Sequence, residues 1–322
     1  MCPEGTDKQS AAAVAPAPLG AGGLDGGLLE ELEATCIRAA ELAGAVAWSH
    51  FERPHVVTQK GGVKNADIVT DADLAAQAAA FDAIRERFPS HAIIGEEGVP
   101  RGAVATELMW LVDPIDGTKN FAAGAIEFGV EVAALHRGVP VAGAIWTPWV
   151  NSRGHRVAHA RAGGGAKLDG APLRLRDNDG GVPGRDRHAI LSSNFTRMYS
   201  CAPELAANMG DIRMVGSVSW EVVSLLTNVA QYIVTGVCHS WDFGAALILL
   251  REAGAATLTN TADGRLGHLG GWRADDYRED AETLRAVAAW TGVLVTAAPQ
   301  TGRFLQANLR INSAKNPRRL TN

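Results

Sequence analysis

Residues Trp110–Phe121 read WLVDPIDGTKNF. A hydrophobic run, Met109–Val112, stops at Asp113; Pro114, a second acid at Asp116 and then Gly117-Thr118 follow. Two carboxylates so close in the chain repel each other unless a metal, a basic side chain or a proton sits between them. Proline cannot donate to a sheet ladder, so Pro114 is expected to end a strand, which frees the Ile115 carbonyl to face a cation. Gly117 lets backbone approach a ligand closely. A helix turn beginning near Thr118 would aim its amides at the same mouth and attract phosphate. Acids for metal beside amides for phosphate describe a metal-assisted phosphoryl site. Taken alone, DPIDG is also a common turn pattern, so its company decides.

That company is acidic. Glu96-Glu97 follow the apolar run AIIG at 92–95, Asp242 follows CHSW and is read as opening a helix, and Asp67 and Asp73 flank Thr70 just before another helix. Each group stands where buried apolar scaffold meets a mouth. An all-oxygen set suits a hard cation such as Mg²⁺ or Mn²⁺. None of the nine histidines falls in these groups, which argues against zinc.

Composition sets outer bounds. The 322 residues are 47% hydrophobic and 20% charged, an ordinary globular balance with enough chain for a sizeable core. A net charge of -5 argues against a general nucleic-acid binder, which needs clustered basic residues. No apolar run approaches the ~18–20 residues of a membrane span. Cys2, Cys36, Cys201 and Cys238 are scattered without a CxxC, as reduced thiols of a cytoplasmic protein would be. Residues 1–27, rich in Ala, Gly and Pro, and the short basic end at 310–322 are read as flexible tails.

Between the tails the pattern is layered α/β with mixed sheets, one unit of two lobes at roughly 28–185 and 186–309. Apolar spacing predicts a helix from Leu28 to about Phe51 and another after Thr70 or Asp71. Residues 92–95 and 109–112 are short buried strands. Gly129–Trp146 is a hairpin turning at Arg137-Gly138, and Asp169-Gly170 marks a second. The second half alternates strands at 188–193, 231–236 and 255–260 with helices at 202–209, 219–230 and 241–254. A polar insertion then runs to about 280, and 294–309 closes with a strand and a helix.

Taken together, the chain resembles the inositol monophosphatase family of Mg²⁺-dependent, lithium-sensitive phosphatases. The resemblance runs from about Leu28 to Leu309 and rests on DIVTDAD (67–73), IIGEEG (93–98), WLVDPIDGTKNF (110–121), GGGAKLDGAPL (163–173), MVGSVS (214–219) and WDFGAALILLREAG (241–254). It implies a five-layer αβαβα sandwich, usually a homodimer, that hydrolyses a small phosphorylated substrate. It implies that Glu96, Asp113, the Ile115 carbonyl, Asp116 and Asp242 hold two or three Mg²⁺, with Mn²⁺ a substitute. Thr118, paired with Asp73 and supported by Glu96, would help activate the attacking water. The Gly117 and Thr118 amides would receive the phosphate, with Gly216 and Ser217 on the alcohol side. Lys60 or Lys64 could cover the site.

Two departures bear on substrate. Thr235 stands where inositol-cleaving members carry an acid that holds ring hydroxyls. Lys119-Asn120 replaces the Lys-Glu pair of nucleotide-phosphatase relatives, which argues against 3′-phosphoadenosine substrates. The expectation is therefore a phosphomonoesterase for a small polyol or sugar phosphate, with inositol 1-phosphate first, histidinol phosphate second and fructose 1,6-bisphosphate third. A catalytically silent metal- or phosphate-binding regulator is the reading from a different class.

Overall fold

Trp110 and Val112 face one side of a sheet, and Met109 and Leu111 the other, and all four are buried. A strand covered on both faces needs an uninterrupted apolar run rather than an alternating one, and MWLV supplies it. The computed structural model of the chain describes residues 23–51, 58–60, 67–261, 263–272 and 275–312, with 58–60 and 67–69 described by backbone alone. Lys64 and the Asp67 side chain lie outside the described residues, as does the side chain of Lys60.

The strand Leu108–Asp116 sits in a sheet of seven, running in chain order from Ala92–Gly95 to Ala171–Pro172. Its pairing with Ala92–Gly95 is parallel and every other pairing is antiparallel. Both predicted hairpin turns are present, with Arg137-Gly138 and Asp169-Gly170 all at positive φ, the conformation that matches strand twist in a two-residue loop. The helices Gly26–His50 and Asp71–Arg87 cover one face of this sheet. The helices Val218–Leu226 and Gly244–Glu252 lie on its other face.

Those two helices also touch the second sheet, six strands in the order 211–213, 188–191, 230–234, 295–297, 256–260 and 266–268. The helix Pro299–Asn308 closes its far side against the strands Ala256–Asn260 and Val295–Ala297. The layers run helix, sheet, helix, sheet, helix, with three separate apolar clusters filling the gaps among the described residues. This is the expected αβαβα sandwich.

Several local expectations need correction. Pro114 does not end its strand: the strand continues to Asp116, and the ladder shifts register between Asp113 and Asp116. An irregular step in the ladder is where a residue without an N–H fits. The helix predicted over 219–230 stops at Leu226, because Asn228 turns through φ 60 and Ala230 already belongs to the next strand. The insertion before 280 is not merely polar. Leu266–His268 is an edge strand of the second sheet, and Trp272 is buried with its backbone N–H on the Gly138 carbonyl (2.8 Å). Beyond residue 309, Leu309–Ile311 pairs with Tyr199–Cys201.

Gly44 shows how closely the first layer approaches. A Cβ there would lie 2.3 Å from the Trp146 ring, so the first helix sits on the sheet only because that position has no side chain. Overpacking a fixed core site costs ~1–3 kcal/mol. Gly44→Ala is therefore expected to lower the thermal midpoint by several degrees, measured by circular dichroism, whereas Gly26→Ala, with open space around it, leaves it unchanged.

Candidate active site

The two sheets and the helices between them meet at a cleft of about 640 Å³. Of the residues picked out in the sequence, Glu96, Asp113, Ile115, Asp116, Gly117, Thr118, Gly216, Ser217, Thr235 and Asp242 line it. Asp73 stands just behind, fully buried, and reaches the cleft through Thr118.

Each acid is delivered by a different device. Asp113 and Asp116 ride the irregular end of the central strand, Asp113 opposite Glu131. Glu96 follows the parallel neighbour strand. Its turn is clamped by Gln77, whose amide donates to the Glu97 carbonyl (2.7 Å) and accepts from the Glu97 N–H (2.9 Å). Asp242 does not open its helix, which begins at Gly244; instead the Asp242 carboxylate accepts from the His239 N–H (2.8 Å). A Cβ on Gly244 would come within 2.9 Å of the Ala133 side chain, so the missing side chain lets this helix start flush against the sheet.

Gly117 turns at φ 85, and a Cβ there would meet the Ser217 Cβ at 2.9 Å and the Glu127 carbonyl at 3.0 Å. The close neighbours of that position are thus the protein's own atoms. The short helix Thr118–Ala122 begins directly after it. Thr118 Oγ1 lies 3.0 Å from the Ile115 carbonyl and 3.3 Å from Asp73 Oδ1. Asp73 also accepts from the N–H (2.8 Å) and hydroxyl (2.5 Å) of Thr70, the residue that caps the second helix.

The electrostatics are those of crowded, dry carboxylates. Burial, then the charges of Glu96, Asp242, Asp116 and Glu131, push Asp113 well above the usual carboxylate range. Burial, then Glu96 and Asp116, do the same to Asp242, which is hydrogen-bonded to Asp113. Asp116 is raised by burial too, but its Oδ2 accepts from the Ser217 hydroxyl and the Ser219 N–H, both at 2.6 Å, and these hold it down. Among the described residues Asp113 Oδ1 has no hydrogen-bond partner, and it is buried.

Two carboxyl groups in contact must share a proton or a cation, and an orphaned buried oxygen marks where the chain supplies neither. The donor set is all oxygen, which fits a hard divalent cation. Among the described residues no three of these groups stand at finished ligand spacing. The fit is therefore one of chemistry and charge.

Several sequence expectations change at this level. The Ser217 hydroxyl donates to Asp116, so it positions that acid rather than offering its proton to a substrate. The Thr235 hydroxyl donates to the Gly236 carbonyl (2.9 Å) and accepts from the Leu294 N–H (2.8 Å). Asn120 bridges the Glu127 and Val215 carbonyls. Two buried acids were missed. Glu131 receives the Ser219 hydroxyl at 3.2 Å and is raised well above its usual range by burial and by Asp116 and Asp242. Glu221 accepts from the Gly216 N–H (3.1 Å) and is pushed up to about 8, chiefly by burial. Both were visible as single charges inside apolar runs, GVEVAAL and SWEVVSLL, a pattern that requires a partner.

A sequence model of the inositol monophosphatase family matches residues 28–300. The chain belongs to the inositol monophosphatase family. It is 30% identical over 229 residues to the Arabidopsis thaliana protein named Phosphatase IMPL1, chloroplastic, a match covering 68% of this chain and 59% of that one. The chain thus spans less than two thirds of IMPL1. It is 31% identical over 223 residues to the Salmonella typhimurium protein named Nus factor SuhB, covering 68% of this chain and 81% of the relative. Among solved structures, the Thermotoga maritima IMPase superposes with a TM-score of 0.61 at 25% identity over 83% of this chain and 90% of that one. An Anabaena inositol monophosphatase gives 0.62 at 22% identity over 87% and 96%, a likeness of fold. This inositol monophosphatase family is generally metal-dependent and binds small phosphorylated substrates. Among the described residues no helix is long and apolar enough to cross a membrane.

The raised acids fix the direction of a pH effect. Glu221 keeps its proton to about pH 8 when folded but loses it near 4.3 when unfolded. Between those values the folded state binds the extra proton, so its contribution to stability falls as pH rises. In chelator the thermal midpoint is expected to drop between about pH 5 and 8. Glu221→Gln should flatten that drop, and added Mg²⁺ should raise the midpoint most at the alkaline end.

Proposed function

We propose that the chain is a Mg²⁺-dependent phosphomonoesterase for a small polyol or sugar phosphate, with inositol 1-phosphate the first substrate to test and histidinol phosphate the second. The observation that carries this is the meeting of Glu96, Asp113, Asp116 and Asp242 in one cleft with the Thr118–Asp73 pair. Those four acids and the Ile115 carbonyl would hold two or three Mg²⁺, with Mn²⁺ able to substitute. When bound, the ions would supply hydroxide from water at neutral pH and steady charge on the leaving oxygen.

The chain's own residues do the positioning, which is most of what phosphoryl transfer requires. Thr118 Oγ1 gives its proton toward Asp73 Oδ1 and so presents a lone pair to the cleft, where it accepts a proton from the attacking water. Asp73 keeps its aim because Thr70 holds its other oxygen. Glu96 is the second acceptor. The Gly117 and Thr118 amides receive the phosphate. Water oxygen adds to phosphorus and the ester P–O bond breaks; the leaving oxygen keeps that bond's electron pair and takes a proton from a water of the cleft, while the attacking water's proton returns to solvent through Thr118. A silent binder would have no use for Asp73, Glu96 and Thr118 together, which favours the enzyme over the regulatory reading.

Phosphate release from inositol 1-phosphate, histidinol phosphate, fructose 1,6-bisphosphate and 3′-phosphoadenosine 5′-phosphate, with Mg²⁺ and with chelator, tests this. Chelator-sensitive release from at least one is expected. Asp116→Asn should abolish it, and Thr118→Val should lower kcat by ~10²–10⁴ with little change in KM. Near-full activity in Asp116→Asn, or silence on all four from folded protein with Mg²⁺, would sink the proposal.

A further inference from the structure

Beside the cleft lies a second cavity of about 420 Å³. The two share Leu191, Ser192, Ser193 and Met214. The rest of the annex is formed chiefly by Phe195, Tyr199, Met209 and Ile212, and among the described residues no charged side chain lines it. Its polar groups are partly committed. The Tyr199 hydroxyl donates to the Thr235 carbonyl at 2.7 Å, and Ser192 Oγ accepts from the Asn194 N–H. Met214 and Ile212 are nevertheless 68% and 44% exposed. Apolar surface left wet at the rim of a concave space gains by having an apolar group laid against it, and the volume lies within the ~300–1,000 Å³ of small-molecule sites.

The shared wall says what would fill the annex. Gly216 and Met214 line the same cleft as Gly117 and Thr118, so the alcohol portion of a phosphate ester held there can reach the shared wall. Thr235 brings no charge to that cleft, and its hydroxyl proton is already given to Gly236. Beyond the shared serines, Met214, Ile212 and Phe195 offer an alkyl or aryl group an apolar wall that ring hydroxyls cannot use.

We propose that the annex is a specificity subsite for the alcohol half of the substrate, and that it selects phosphate monoesters carrying an apolar arm over bare polyol phosphates. The proposal rests on the phosphomonoesterase reading above and revises its substrate class: inositol 1-phosphate is then turned over, but is not the preferred ester.

The test compares kcat/KM, with Mg²⁺, for 2-phenylethyl phosphate, inositol 1-phosphate and glycerol 2-phosphate. A single methylene in an apolar pocket is worth ~10–200-fold, so 2-phenylethyl phosphate should exceed both polyol esters by about tenfold or more. Ile212→Asp should cut that ratio about tenfold, through KM, and Ile212→Leu should preserve it. A ratio near one, or one that Ile212→Asp leaves unmoved, overturns the subsite while glycerol 2-phosphate turnover keeps the phosphatase reading. A dimer that Ile212→Asp splits without moving the ratio gives the annex to a second copy and also overturns the proposal. Release from none of the three esters overturns the subsite alone if histidinol phosphate or fructose 1,6-bisphosphate is hydrolysed, and overturns the reading and the subsite together if neither is.

Discussion

Carboxylates placed close together in a dry site repel one another, and the active end of this molecule is arranged around that repulsion. Two like charges ~4 Å apart cost roughly 4 kcal/mol at an effective dielectric of 20. The chain offsets the cost unevenly. Asp116 has a hydroxyl and a helix N–H, Asp242 has the His239 N–H, and Asp73 has both donors of Thr70. Asp113 is the most enclosed by acids and keeps an oxygen with no partner among the described residues. The deficit of positive charge is thus concentrated at one point in the cleft.

The layered fold makes that concentration affordable. The helices Val218–Leu226 and Gly244–Glu252 are both trapped between sheets, and both begin beside the acids. Their first turns bring Ser219 N–H to Asp116 and Ala246 N–H to Glu131 (3.4 Å), where a helix dipole favours negative charge. Glu131 ties the two starts together, since it also receives the Ser219 hydroxyl. The apolar clusters on either side keep these elements from relaxing apart, so repulsion is stored at the site rather than relieved by movement of the scaffold.

Much of this was legible in WLVDPIDGTKNF and the acids that accompany it, because residue type and short-range order carry the chemistry of a hard-cation site. The five layers came from resemblance, and alternation of elements agreed with it. What could not be read was pairing across distance. Ser217 looked like a substrate contact because nothing local shows that its hydroxyl meets Asp116, 101 residues earlier. Nothing local to Thr235 shows that its hydroxyl accepts from the Leu294 N–H, 59 residues on. Pro114 was expected to end a strand on local grounds, yet the ladder absorbs it with a register shift, a tertiary outcome. Glu131 and Glu221 were readable as anomalies in apolar runs, but only their three-dimensional partners explain them.

The same electrostatics set the order of events on the proposed reading. A phosphate monoester brings up to two negative charges toward Glu96, Asp113, Asp116 and Asp242, and Lys119 is the only Lys or Arg lining the cleft among the described residues. One ammonium cannot offset four acids and a dianion. Productive binding of phosphate therefore presupposes that the acids are already neutralised, and linkage makes the dependence mutual: whatever raises the affinity of the cleft for cation raises its affinity for phosphate by the same factor. Gly117 and Thr118 then act as receptors that become useful only after the acids are quenched. The apolar wall of Met214, Ile212 and Phe195 carries no charge and stands outside this coupling. On the proposed reading turnover and substrate choice are accordingly separable, the first resting on the acids of the cleft and the second on the side chains of the annex.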